Sequence, residues 1–291
     1  MPLQDVARAK VNLSLSVPGK RSDGYHELES LVAFAGDGDV LTLEQNPSGQ
    51  FAFEVVGPFG TVLRQEQQQD NLVVRALKAL SVLSGRPLDF SVTLDKKLPV
   101  ASGIGGGSAD AAAALRLALR YWGCSVPERD LMELCRTLGA DVPVCYHSQA
   151  CWMRGIGETL DVLEDFPACP VLLVNPGDAV STAAVFRALN APALDEGFLP
   201  ARRPGKLSGA QELVDLLGTL SNDLQEPAVS QAPLIRDVLG ALEQQKGSLF
   251  SAMSGSGATC FCLFASMQEA RQAGEILSSL HGWWTLPTEL S

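Results

Sequence analysis

The glycine-rich segment at residues 99–112, PVASGIGGGSADAA, constrains the fold more than any other part of the chain. Four of the five residues at 103–107 are glycines, so the backbone there can turn sharply and bring N–H groups close to an anion. The alternation of Phe90, Val92 and Leu94 predicts a strand before it, and the alanine-rich residues after it predict a helix. Because a helix N-terminus carries unpaired N–H groups, this context predicts a phosphate-binding loop. A tight turn that packs a helix on a sheet is the structural alternative.

Two common glycine motifs do not fit this segment. No Gly-Lys-Ser/Thr follows the glycines, which excludes a Walker A loop. Gly103 and Gly105 begin a dinucleotide fingerprint, but Ser108 stands where its third glycine belongs, and the motif lies outside an N-terminal βαβ unit. A dehydrogenase is therefore disfavoured. Ser108 has two compatible interpretations, as the N-cap of the following helix or as a hydroxyl that meets a phosphate or its Mg²⁺.

Charge and composition exclude several classes of protein. A net charge of −11 over 291 residues argues against a general nucleic-acid or anionic-membrane binder. No apolar run approaches the roughly 20 residues of a membrane span, and the N-terminal residues lack a signal pattern. Seven cysteines without a CxxC pair indicate reduced thiols. Three histidines, far apart in the chain, argue against a metal site built from histidine. We expect a cytoplasmic protein that binds neither nucleic acid nor membrane.

The order of predicted elements indicates an α+β protein with two domains. Residues 1–155 combine antiparallel strands with helices, and residues 156–291 form a smaller second domain. One strand is predicted over the alternating residues 11–17, and further antiparallel strands over 39–45 and 51–57. Helical spacing predicts helices over 70–85, 108–123 and 126–139, and four more after residue 180. Residues 191–210, rich in Pro, Gly and Arg, predict a long surface loop.

The glycine segment also carries a family resemblance. Its pattern, Pro-x₃-Gly-x-Gly-Gly-Gly-Ser-x-Asp-Ala, resembles the phosphate loop of the galactokinase, homoserine, mevalonate and phosphomevalonate (GHMP) kinase superfamily. ARAKVNLSLSVPGKRSDGYHEL, LGADVPVC, RGIGETL, VSTAAVF, SNDLQEP and MSGSGATCF resemble, in the same order, blocks of one branch. That branch phosphorylates a sugar alcohol linked to cytidine diphosphate, in the non-mevalonate route to isoprenoids. The resemblance implies an N-terminal domain like ribosomal protein S5 domain 2 and a C-terminal ferredoxin-like α/β sandwich.

The resemblance assigns the catalytic pair to Lys10 and Asp141. Asp141 would take the proton of the attacking hydroxyl, and Lys10 would keep Asp141 charged and stabilise charge near the transferring phosphoryl group. From the residues alone, Asp141 is a turn residue between a helix and a strand, and Lys10 a solvated residue at a strand start. The presence of both favours an enzyme over a catalytically silent ligand sensor on the same fold. A sibling kinase with another alcohol is the nearer alternative.

The remaining site residues are also implied by the resemblance. Tyr25 would stack on cytosine and His26 would pair with its edge. Thr182 and Phe186 are equally interpretable as a helix N-cap and a core aromatic, and Lys97 is an alternative to Lys96. The predicted substrate residues are Asn12, Tyr25, His26, Asp141, Thr182 and Phe186. The predicted ATP contacts are Asn71 and Lys96 for adenosine, and Pro99, Val100, Ala101, Ser102, Gly103, Ile104, Gly105, Gly106, Gly107, Ser108 and Ala109 for the phosphates.

Three further expectations concern cofactors and assembly. ATP is the expected phosphoryl donor, and Mg²⁺ is expected because ATP chemistry needs charge neutralisation. Its protein ligands stay unassigned, since Glu158 falls in a block that does not match the metal-binding glutamate of other GHMP kinases. The SGSG at 254–257 is a second glycine turn, which the resemblance places near the substrate and phosphate site; a tight turn before a strand at 259–264 is the alternative. The expected assembly is a monomer or a weak homodimer.

Overall fold

The computed structural model describes residues 2–64, 68–201, 203–207 and 209–291. Runs of strands, most of them paired in antiparallel orientation, are separated by runs of helices, which confirms the α+β class. The strands are β1 (Leu3–Asn12), β2 (Ser16–Lys20), β3 (His26–Gln45), β4 (Ala52–Val56), β5 (Phe90–Asp95), β6 (Cys151–Gly155), β7 (Thr159–Val162), β8 (Cys169–Asn175), β9 (Ser248–Met253), β10 (Cys260–Phe264) and β11 (Trp284–Leu290). The α-helices are α1 (Gly60–Arg64), α2 (Leu72–Ser84), α3 (Gly106–Trp122), α4 (Glu128–Leu138), α5 (Val142–His147), α6 (Thr182–Leu189), α7 (Ala210–Leu217), α8 (Gln225–Gln231), α9 (Leu234–Glu243) and α10 (Met267–His281), and Gln68–Asp70 form a 3₁₀ turn.

The chain forms two compact units. The first unit contains the chain up to Ala9, with Asp37–Val100 and Gly105–Ser148, and the second contains Lys10–Gly36, Ala101–Ile104 and Gln149–Ser291. The units do not follow a single boundary near residue 155, because β1 and β3 each contribute residues to both. The division into domains 1–155 and 156–291 stays a prediction.

In the first unit, helices cover a short mixed sheet. The second half of β3 pairs with β5 in antiparallel orientation from Val40–Asp95 to Gln45–Phe90, and β4 pairs with β5 in parallel. Residues 51–57 therefore run opposite to 39–45, as predicted, but they pair with β5 and in parallel. The alanines at 111–114 of α3 are buried, because side chains this small let the helix approach its neighbours closely.

In the second unit, β8 lies between β10 and β11 and pairs with both in antiparallel orientation. The sheet's apolar residues form one core with α9 and α10, in which Leu172, Cys260 and Cys262 are fully buried. The prediction that these two cysteines are core residues is confirmed. Burial raises the pKa of both thiols, so they stay protonated at neutral pH. Strand β11 is built from the C-terminal segment, for which the sequence offered no interpretation.

Helices were predicted better than strands. Helix α2 is capped by Asn71, whose side chain accepts a hydrogen bond from the N–H of Val73, and α3 ends at Gly123 with φ of 59°. The single strand expected over residues 11–17 is interrupted, since β1 ends at Asn12 and β2 begins at Ser16. The strand expected after Asp141 is the helix α5. No helix in the described ranges combines the length and the apolar character needed to cross a membrane.

Candidate active site

The glycine loop turns through three left-handed residues before α3. Ala101, Gly103 and Gly105 have φ values of 52°, 77° and 63°. Gly105 is the N-cap of α3, which begins at Gly106, so the free N–H groups of the first turn follow directly on the glycines. Ser108 lies inside that turn, and its interpretation as the N-cap is wrong. A role for its hydroxyl at a phosphate stays a prediction.

Within the second unit, the first part of the loop is bound to β1 and to the SGSG turn. The N–H of Lys10 donates to the carbonyl of Ile104 at 3.0 Å, and Ser254 Oγ donates to the carbonyl of Gly103 at 3.2 Å. A Cβ on Gly103 would lie 2.6 Å from the carbonyl oxygen of Ser254, so no other residue fits this approach. The loop is thus held at the strand that carries Lys10.

Lys10 and Asn12 are both almost fully buried at the end of β1. Asn12 Nδ2 donates to Ser30 Oγ at 2.8 Å, and Ser30 Oγ donates to the carbonyl of Ser14. The Asn12 carboxamide is therefore oriented by a buried network, and a contact with substrate would use its Oδ1. The burial of Lys10 shows that it is not the solvated residue its position at a strand start suggests.

Two of the predicted substrate residues, His26 and Phe186, lie together in the second unit. The rings of His26 and Phe186 have centroids 4.8 Å apart and are tilted by 31°. Partial burial and the neighbouring Lys20 lower the pKa of His26, which favours its neutral ring at neutral pH. Tyr25 beside it is 61% exposed, so its ring is open to a ligand.

On α6, Thr182 is not the N-cap. Ser181 has that role, since its side chain accepts a hydrogen bond from the N–H of Ala184. Thr182 Oγ1 instead lies 2.8 Å from Oγ of Ser256, in the SGSG turn. The alternative interpretation of Thr182 as a cap is therefore wrong, and its predicted place at the substrate stays open.

Asp141 lies in the first unit, half-buried, at the N-terminal end of α5. The far end of α5 is held by Arg116 of α3, which donates to the carbonyls of Cys145 and Tyr146 at 3.0 and 3.2 Å and binds Asp5. The helix that carries Asp141 is thus fixed against the helix that follows the glycine loop. The pairing of Asp141 with Lys10, which belongs to the second unit, stays a prediction.

Lys96 and Lys97, the two lysines considered for adenosine, differ in burial and in their ion pairs. Lys96 is buried, and its Nζ lies 2.5 Å from Asp39 Oδ2 and 2.7 Å from Asp110 Oδ2. Lys97 is half-exposed and lies 3.5 Å from Asp95. A contact between Lys96 and adenosine stays a prediction, but its ammonium is enclosed by two carboxylates that the sequence reasoning missed.

Comparison with known proteins decides the family. A protein of Parvibaculum lavamentivorans named 4-diphosphocytidyl-2-C-methyl-D-erythritol kinase is 46% identical over 97% of this chain and 96% of its own length. A protein of the same name from Gluconacetobacter diazotrophicus is 47% identical over 97% and 93%. The chain belongs to the 4-diphosphocytidyl-2-C-methyl-D-erythritol kinase family. Members of this family are enzymes, which confirms the prediction of a kinase over a ligand sensor.

The fold of the 4-diphosphocytidyl-2-C-methyl-D-erythritol kinase family extends over the whole chain. A crystal structure of 4-(cytidine 5'-diphospho)-2C-methyl-D-erythritol kinase matches with a TM-score of 0.78, 32% identity and 99% coverage of both chains. Homoserine kinase from Cytophaga hutchinsonii, at 17% identity and a TM-score of 0.65 over 100% of this chain and 94% of its own, shares the fold. The models of the GHMP kinases N terminal domain and GHMP kinases C terminal match residues 71–149 and 203–281. The two-domain GHMP kinase fold is confirmed.

The sequence reasoning assigned no role of their own to Asp39, Asp110 and Ser254, although Asp110 stands in the glycine-loop pattern and Ser254 in the SGSG turn. Asp110 could have been noticed, because a carboxylate within the alanine-rich start of α3 falls on the buried face of that helix. Asp39 carries no such signal, since its partners are distant in the chain. The SGSG motif indicated a turn at Ser254 but not the distant residues that its hydroxyl contacts.

The described residues also bear on the expected metal. Within the described ranges, no group of three or more His, Cys, Asp and Glu side chains could hold a metal ion. Mg²⁺ in kinases is usually held by phosphate oxygens, water and one or two carboxylates.

Proposed function

We propose that the protein transfers the γ-phosphoryl group of ATP to the 2-hydroxyl of 4-diphosphocytidyl-2-C-methyl-D-erythritol, a step of the non-mevalonate route to isoprenoids. The observation that carries this proposal is the identity of 46% and 47% to curated kinases of that name over nearly the full length. The substrate is a small molecule, and a cytoplasmic location and a monomeric or weakly dimeric state stay predictions.

The chemistry is assigned to Asp141 and Lys10. In the proposed step the 2-hydroxyl oxygen forms a bond to the γ-phosphorus as the bond to the β-phosphate oxygen breaks, and ADP leaves. Asp141 accepts the hydroxyl proton, and the ammonium of Lys10 stabilises the negative charge on the transferring group. Two features support this assignment: β1 binds the glycine loop at Lys10, and Arg116 fixes the helix that follows Asp141.

ATP binding is assigned to the glycine loop, Pro99 to Ala109. The N–H groups at the start of α3 would receive the phosphates, and the positive end of the helix dipole favours their charge. Mg²⁺ would supply further charge neutralisation when bound with ATP, and no protein ligand is assigned to it. Asn71 is proposed to lie near adenosine.

Recognition of the cytidine group is assigned to Tyr25, His26 and Phe186. The contact between the rings of His26 and Phe186 supports this assignment, because it orients the imidazole at the end of β3. The neutral imidazole offers one donor and one acceptor for the base edge. Thr182 and Asn12 are proposed to contact the rest of the substrate.

The test measures ADP release with the cytidyl substrate, mevalonate, homoserine and galactose in parallel. We expect turnover with the cytidyl compound to exceed that with the other alcohols by orders of magnitude. Turnover with one of the other alcohols and none with the cytidyl compound would identify a sibling kinase instead. A mixture without alcohol corrects for ATP hydrolysis.

A further inference from the structure

A buried ion cluster of Asp39, Lys96 and Asp110 lies at the start of α3, within the first unit. Lys96 follows β5, Asp39 lies in β3 and Asp110 in α3, and each side chain is at most 3% exposed. An ammonium at this depth costs several kcal/mol unless it is paired and fully hydrogen-bonded. No residue of the cluster has a part in the proposed transfer step.

The Lys96 ammonium contacts the face of α3 that includes its first residue. Gly106 and Asp110 are four residues apart and therefore lie on the same face of the helix. Asp110 Oδ2 is 2.7 Å from Lys96 Nζ, and a Cβ on Gly106 would lie 3.1 Å from the same atom. The ammonium thus supports the turn whose N–H groups would receive the phosphates.

Asp39 connects the cluster to the segment that leads into the loop. Its Oδ2 accepts a hydrogen bond from Lys96 Nζ, and its Oδ1 accepts the N–H groups of Lys97 and Leu98 at 2.5 and 2.8 Å. The Asp39 carboxylate therefore binds both the backbone that leads into the glycine loop and the ammonium of Lys96, which lies against α3.

The charges of the cluster favour a proton on one of its two carboxyl groups. Two carboxylates and one ammonium leave an excess negative charge unless one carboxyl holds a proton. Burial, and after it the charge of Asp39, raise the pKa of Asp110 to about 7, although Lys96 opposes the shift. Among the described residues no donor reaches Asp110 Oδ1, which is consistent with a carboxyl that is partly protonated near neutral pH.

We propose that Lys96 is a positioning residue, which through Asp39 and Asp110 sets the position of the glycine loop's N–H groups for ATP. It acts through the backbone rather than by direct contact with adenosine. This inference rests on the proposed binding of ATP at the loop.

The test compares equilibrium binding of a non-hydrolysable ATP analogue by the unaltered protein and by Lys96→Met. Methionine is one atom shorter and uncharged, so it fills most of the space without the ammonium. We expect binding to weaken about tenfold or more, because small displacements of positioning groups are costly, while the KM of the alcohol substrate stays within twofold. The exposed neighbour supplies the control, and Lys97→Met should bind the analogue normally.

Two further variants separate positioning from loss of the fold. Asp110→Asn keeps an oxygen that can accept from Lys96, so it should weaken analogue binding less than Lys96→Met does. Gly106→Ala should weaken nucleotide binding, because the added Cβ would lie 3.1 Å from Lys96 Nζ and the turn or the ammonium must shift. That effect should shrink in the Lys96→Met background, where the ammonium is absent.

The outcomes distinguish this inference from the proposed function. Normal analogue binding by folded Lys96→Met protein would overturn the positioning role alone. A loss of alcohol affinity as large as the loss of nucleotide affinity, together with a lower melting temperature, would also overturn it. A general structural defect predicts that pattern. Failure of the unaltered protein to bind the analogue would refute the proposed ATP site and the positioning role with it.

Discussion

The backbone N–H of Asn12 donates a hydrogen bond to Ser254 Oγ at 3.0 Å, although 242 positions separate them in the chain. The same hydroxyl donates to the carbonyl of Gly103 in the glycine loop. One buried serine therefore connects the end of β1, the SGSG turn and the glycine loop within the second unit.

Replacement of Ser254 by alanine should damage both stability and nucleotide binding. The change leaves the buried N–H of Asn12 without an acceptor, which costs about 1–3 kcal/mol, and releases the carbonyl of Gly103. We expect a lower free energy of unfolding in urea and a higher KM for ATP. Ser230→Ala removes an exposed hydroxyl bound to the carbonyl of Pro227 and should change neither. An unchanged KM for ATP in Ser254→Ala would show that this bond does not position the loop.

Replacement of Asp141 by asparagine should abolish turnover while nucleotide binding persists. The amide keeps the shape of the side chain but cannot take the hydroxyl proton, and general-base catalysis contributes about 10²–10⁴-fold to rate. The measurement is kcat by ADP release beside binding of a non-hydrolysable ATP analogue. Asp130→Asn, on the exposed face of α4, is the control. Near-normal kcat for Asp141→Asn would remove Asp141 from the mechanism.

Replacement of Phe186 by leucine should weaken binding of the cytidyl substrate selectively. Leucine keeps apolar bulk but loses the ring that packs 4.8 Å from His26, so the imidazole loses its orientation. We expect the KM of the cytidyl substrate to rise about five- to tenfold, in line with an aromatic pair worth about 0.5–1.5 kcal/mol, with the KM for ATP unchanged. Phe250→Leu alters another aromatic pair of the second unit, with Phe261, and should leave both KM values unchanged. A parallel rise in both KM values for Phe186→Leu would argue for a general packing role.

Asp110 should make stability depend on pH. Because its pKa is raised from 3.8 to about 7, the folded state holds a proton that the unfolded state releases near pH 4. Its contribution therefore stabilises the fold most below pH 4 and is lost as pH rises towards 7. Relative to Asp110→Asn, the unaltered protein should lose up to about 1.4 kcal/mol per pH unit between pH 5 and 7.

The measurement is urea unfolding of both proteins across that range. Asp165→Asn, which alters an exposed pair with Lys206, should show no such difference from the unaltered protein. A constant difference between the unaltered protein and Asp110→Asn would mean that Asp110 does not hold a proton in the folded state.

The sequence by itself determined the local features. The spacing of apolar residues predicted α2, α3 and α4, and the glycine density predicted the loop before α3, because helix periodicity and left-handed turns depend on neighbouring residues. The family resemblance named candidate residues in both units. Of these, His26 and Phe186 lie together, and Lys10 is bound at its backbone to the loop.

Only the tertiary structure decided which distant residues meet. The parallel pairing of β4 with β5, the helix after Asp141 and the strand at the C-terminus all depend on partners far along the chain. The same holds for the enclosure of Lys96 by Asp39 and Asp110, 57 and 14 positions away. From the sequence alone, a lysine or an aspartate is predicted to be solvated, because an unpaired charge is costly to bury. Burial is tolerated here because the fold brings opposite charges and backbone N–H groups to one point, and periodicity does not carry that information.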